Sequence, residues 1–96
     1  MKGLPDVVHI GALTYEIVEE PRLKEEGDFA RIRLTEAVIE VATPMHADVA
    51  RVHILHEVIH AMLMAAGIVP PHDEQYIGAL ANGFISLVRD NPELLK

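Results

Sequence analysis

From Val52 to His72 the chain carries one formally charged side chain, Glu57. A low-charge run of this length could span a bilayer, which takes ~20 residues. Three histidines, His53, His56 and His60, interrupt it, and Gly67 and Pro70-Pro71 close it. A helix buried inside a folded domain fits better, and the rest of the chain must then cover it. Its apolar residues occupy more than one face: Val49, Val52, Ile59 and Leu63 on one, Leu55, Val58 and Met62 on another. A helix of this kind needs partners on several sides.

The flanking segments suggest what those partners are. Before the run, Leu13, Tyr15 and Ile17 alternate with Thr14 and Glu16, the period of two that marks a half-buried strand. Val7 to Ile10 predicts a short preceding strand, with Gly11 in the turn. Glu25-Glu26-Gly27-Asp28 is a polar turn. Ala30, Ile32 and Leu34 then point inward, with Arg31 and Arg33 outward. Thr35-Glu36 turns the chain without the Gly or Asn of a favoured hairpin loop, and Ala37 to Ala42 is a further, β-branched strand. Thr43-Pro44 resembles a helix start, a hydroxyl cap followed by proline, and Gly67 fits the stop. Asp73-Glu74 opens a second helix with acidic groups at the positive end of its dipole. Its apolar stripe is Ile77, Leu80, Ala81, Phe84, Ile85 and Val88, and Asn91-Pro92 ends it. The expectation is one α+β domain over 1–96. A small, mainly antiparallel sheet (roughly 7–42) precedes an active-site helix (roughly 44–66) and a backing helix (roughly 73–89), a hairpin packed on one sheet face.

Composition narrows the function. Ninety-six residues hold one core. A formal charge of −7 argues against binding nucleic acid by phosphate neutralisation. The lack of cysteine excludes disulfides, cysteine zinc fingers and thiol nucleophiles. No signal peptide or membrane element is evident, so a soluble, cytoplasmic protein is expected. What remains conspicuous is histidine: five of the six lie between His46 and His72.

Within that cluster stands His56-Glu57-Val58-Ile59-His60, an H-E-x-x-H sequence. On a helix, positions i and i+4 share a face, so two imidazoles can converge on one metal ion. Glu57 is rotated ~100° from His56 and can reach a metal-bound water without being a ligand. A carboxylate in so apolar a stretch is costly unless something compensates it. Catalytic zinc needs a third protein ligand and an open position. The metzincin arrangement is excluded, because Leu63 and Ala66 stand where its glycine and third histidine would be. In a helical hairpin, residues equidistant from the turn face each other. His60 and Glu74 are equidistant from Gly67, which makes Glu74 the expected third ligand, with Asp73 and His72 as alternatives. Tyr76 and His72 are candidates for stabilising an oxyanion. His53 and His46 are candidates for lining the cleft, and His9, isolated in a strand, is expected to be structural.

The segments HEVIHAML, AAG and DEQYIGALANGF resemble the H-E-x-x-H zincins with a glutamate ligand, the gluzincins. They are most similar to small single-domain members encoded by phages and prophages. Gly11 to Tyr15 is similar to a Gly-x-x-Tyr β region of that group, and Ala81-Asn82-Gly83 and Asp90-Asn91-Pro92 to its helix and ending. The specific part is Leu55 to Phe84. The resemblance implies a minimal metallopeptidase with Zn²⁺ on His56, His60 and Glu74, Glu57 as general base, and a phage or bacterial origin. It supplies no matching position for the His or Tyr oxyanion residue of larger gluzincins.

The expected function is therefore zinc-dependent hydrolysis of a peptide or protein, with an extended substrate added along an edge at Ala30 to Leu34. No nucleic-acid or membrane partner is expected, and the oligomeric state is left open. The alternative is a zinc-stapled, non-catalytic module that binds a partner. A third reading is a latent enzyme whose tail, Asn91 to Lys96, covers the cleft and offers Glu93 to the metal.

Overall fold

A computed structural model describes residues 3–96 of the chain. Four strands form the first half: β1 (Val7–Ile10), β2 (Leu13–Glu19), β3 (Ala30–Arg33) and β4 (Val38–Val41). A short 3-10 turn, Pro21–Lys24, lies between β2 and β3. The helices α1 (Ala47–Ala65) and α2 (Glu74–Asp90) follow. The fold is the expected α+β arrangement of a small, mostly antiparallel sheet and then two helices.

The strand order is β1-β2-β4-β3. β1 with β2 and β3 with β4 pair antiparallel, whereas the central pair, β2 with β4, is parallel. β3 is thereby an edge. Register aligns Ile17 with Ile39 and Ile39 with Ile32, and places Val41 beside Ala30, so one face is a continuous apolar surface. Ile39 and Val41 are fully buried there, and each such side chain stabilises the fold by roughly 1.5–3 kcal/mol. The alternation read for β3 holds for Ala30 and Ile32, but Leu34, one residue beyond the strand, and Leu13 are exposed.

The other face carries charge. Glu40 is buried, and its Oε1 accepts from Arg31 Nε at 3.0 Å and Arg33 Nε at 2.8 Å. The hydrogen bond from Arg33, opposed by burial and reinforced by Arg31, holds the Glu40 carboxyl below its ordinary value.

The helices do not both lie on the sheet. α1 packs against β1, β3 and β4, while α2 packs on the far side of α1 through Ile59, Ile77 and Ala81. The layers run sheet, α1, α2, which explains why α1 is apolar on several faces. Covering by α2 is narrow: Ile77 and Ala81 are buried, but Leu80, Phe84 and Val88 remain exposed.

Helix ends correct one expectation. Thr43-Pro44 does not cap α1. His46 does, its Nδ1 accepting from the Asp48 backbone N–H at 3.2 Å. The helix begins three residues later than the Thr-Pro signal suggests because an imidazole nitrogen can accept at an N-cap as a hydroxyl does. This places His46 at the helix start, exposed and committed to the cap. Gly67 acts as the expected stop at φ 85°, and Ile68 N–H donates to Leu63 O at 2.9 Å to close the end.

No helix among the described residues is long and apolar enough to cross a membrane.

Candidate metal centre

Two elements build the site. Mid-helix α1 presents His56 and His60 one turn apart, with ring centroids 5.0 Å from each other. The first residue of α2 presents Glu74. Asp73 takes the N-cap of that helix, its Oδ1 accepting from the N–H groups of Gln75 at 2.9 Å and Tyr76 at 3.3 Å. The cap fixes where α2 starts and hence where the Glu74 carboxylate sits.

That carboxylate bridges the two imidazoles. Glu74 Oε2 lies 2.6 Å from His56 Nε2, and Oε1 lies 3.0 Å from His60 Nε2. Ligand atoms from His56, His60 and Glu74 all fall within 4.8 Å of one another. Burial disfavours the ionised Glu74, but the hydrogen bond with His56 and the charge of His60 outweigh it and hold the carboxyl below its usual range. Two imidazole nitrogens and a carboxylate are a donor set that zinc accepts, and one shared with several other divalent ions. The residues therefore fit a divalent metal.

Glu57 is next to His56 but does not join the triad. It lines a cleft of about 310 Å³ with His60 and Glu74 on one side and Asp28, Ala30 and Ile32 on the other. Burial first, then the charges of Glu74 and Asp28, push its carboxyl up to about 7. All three causes act in the same direction, so none of them compensates the charge of this carboxylate in its apolar stretch. A cation at the triad would cancel the Glu74 contribution and attract the Glu57 charge directly, both of which lower the carboxyl.

The remaining histidines take separate roles. His72 is not one of the three converging ligands. Its ring stacks on His60, and both of its nitrogens are engaged, with His60 Nδ1 and with Ile68 O. His53 stacks on Phe29, with centroids 4.6 Å apart. Burial, then the neighbouring His56, pulls it below its ordinary value. His9 Nδ1 lies 2.9 Å from Thr14 Oγ1 across the β1–β2 hairpin. Tyr76, 69 % exposed, is not among the residues lining the cleft.

The tail does not cover the cleft. Leu95 lies along an apolar groove between the helices with Met62 and Phe84, and Glu93 pairs with Lys96 at 3.2 Å. α2 carries the chain away from Glu74, so its C-terminal end cannot return to the ligands within six residues. The latent arrangement is thus not the one adopted.

Sequence reasoning named the edge at Ala30 to Leu34 but missed Asp28, just before it, as a wall of the cleft. Asp28 sits in a turn whose acidic residues look merely solvated, and only the pairing of β3 at the sheet edge brings it opposite α1. The chain matches no protein-family model, no curated protein and no solved structure.

Proposed function

We propose that the chain is a zinc-dependent peptidase of gluzincin type, acting in the cytoplasm of a bacterial or phage-infected cell. The observation that carries this is the convergence of His56, His60 and Glu74 within 4.8 Å beside a cleft that also holds Glu57. Zinc bound there supplies a Lewis acid and an acidified water.

The chain's own residues do the rest. Glu57, held in the wall of the cleft beside the triad, accepts the proton of the attacking water and returns it to the departing amine. The open edge of β3 offers backbone groups to an extended peptide, adding it as a further strand alongside the cleft. Ala30 and Ile32, which line the cleft from that strand, give it an apolar wall beside the peptide.

The test is zinc content and peptide cleavage for wild type and Glu57→Gln. The expected result is equal zinc in both and cleavage lower by ~10²–10⁴-fold in the variant. A wild type that takes up no metal sinks the reading, and equal cleavage removes Glu57 from the mechanism.

A second reading, a metal-stapled binding module, is favoured by one observation. Neither oxyanion candidate is free in the cleft: Tyr76 is exposed elsewhere and both His72 nitrogens are occupied. Strong zinc stabilisation with no turnover on any peptide substrate would support it.

A further inference from the structure

We infer that His72 is a positioning residue for the metal centre, orienting His60 through an imidazole-to-imidazole hydrogen bond. The inference rests on the metal-site reading above and deepens it.

The direction of each bond follows from what each atom can do. His72 Nε2 lies 2.8 Å from the carbonyl oxygen of Ile68. A carbonyl only accepts, so Nε2 carries the proton. In a neutral ring that leaves Nδ1 bare, and this Nδ1 lies 2.8 Å from His60 Nδ1. His60 therefore donates through Nδ1, and its Nε2, 3.0 Å from the Glu74 carboxylate, is the nitrogen left to turn a lone pair to a metal ion that the two residues share. That is the tautomer a metal ligand bound through Nε2 requires. The rings also stack, with centroids 5.1 Å apart and planes inclined by 21°.

The far end of the relay is anchored as well. Ile68, whose oxygen receives the His72 proton, is fixed by its own N–H to Leu63 O at the end of α1. Asp73, next to His72, caps α2 and sets the position of Glu74. One short loop thus orients one ligand and delivers another. Metal-bound histidines usually donate their second N–H to a carboxylate or carbonyl. Here the acceptor is a histidine whose own tautomer is fixed by a backbone oxygen.

The experiment is zinc affinity, by competition with a chromophoric chelator, for wild type, His72→Ala and His72→Asn, together with ¹⁵N NMR of the zinc-loaded wild type. The His72→Asn variant keeps an acceptor oxygen close to the position of Nδ1. The expected result is a loss of ~10–100-fold in His72→Ala, largely restored in His72→Asn. NMR should show His72 protonated at Nε2 and a through-hydrogen-bond coupling between the two Nδ1 atoms. Undiminished affinity in His72→Ala, or a wild-type His72 protonated at Nδ1, overturns the inference while leaving the metal site intact. Affinity equally weak in both variants assigns the effect to loop packing and also overturns it. A wild type without zinc affinity overturns the metal-site reading itself, and the inference with it.

Discussion

Across the loop that joins the helices, His56 Nε2 and Glu74 Oε2 stand 2.6 Å apart although eighteen positions separate them in sequence. Such closeness means that α2 contributes to the site through one residue at its first turn. Glu74→Ala should leave the fold in place, since the side chain is 68 % exposed. It should weaken zinc binding by more than the ~10–100-fold typical of residues behind the ligands. Chelator competition on the variant checks this, and unchanged affinity would exclude Glu74 as a ligand.

Removing the metal should soften the whole domain, because α1 carries both ligands and core. Zinc at a hundred times its dissociation constant adds about 2.7 kcal/mol. In a domain of this size, that corresponds to a rise in Tm of roughly 10–20 °C over the chelated protein. A melting point indifferent to chelator would separate the ligands from the fold.

Glu57 should impose a pH slope on the metal-free protein. Its carboxyl is raised to about 7 in the fold, against about 4.3 in an unfolded chain. The folded state therefore holds a proton that the unfolded state has released, and stability falls as pH rises between these values. In the metal-free state, wild type should lose on the order of 1–2 kcal/mol more than Glu57→Gln between pH 5 and pH 8, after solvent screening of a partly exposed group. Denaturant titrations at the two pH values measure it. Parallel losses in both proteins would show that Glu57 does not titrate in this window.

On the opposite face of the sheet, Glu40 should act with the reverse sign. Its carboxyl is held low, chiefly by Arg33, so its contribution is complete above the ordinary carboxylate range and disappears as pH falls through the lowered value. Glu40→Ala should cost about 1.5–3 kcal/mol near neutral pH, the range for hydrogen bonds to charged groups. The gap to wild type should narrow in acid. Stability curves for both proteins from pH 7 to pH 3 provide the check.

Much of this architecture is legible in the sequence because its signals are local. Alternation at Tyr15 and Ile17, the low-charge stretch around Glu57 and the stop at Gly67 each report a neighbourhood of a few residues, and each marks an observed element. The parallel pairing of β2 with β4 leaves no such mark, since alternation tells which face a residue takes and not which strand lies beside it. The cap is missed for a chemical reason: His46 is an unusual acceptor, and Thr43 a common one. The stripe on α2 overstates burial because Leu80, Phe84 and Val88 are apolar without a layer beyond them. At the candidate metal centre, the i, i+4 spacing and the symmetry of the hairpin about Gly67 anticipate the three residues that lie together. The role of His72 depends on one carbonyl oxygen, which no side-chain pattern encodes.

The exposed edge of β3 has a cost apart from any substrate. A strand with unpaired backbone groups can recruit the same strand from another molecule, the first step toward aggregation. β3 is only four residues long, and two of them, Arg31 and Arg33, are cationic. Two copies aligned edge to edge would have to crowd these guanidinium groups together with the carboxylates of Glu26, Glu36 and Glu40 that pair with them. Its shortness and the charged pairs on the back of the sheet thus make this rim a poor template for a sister molecule.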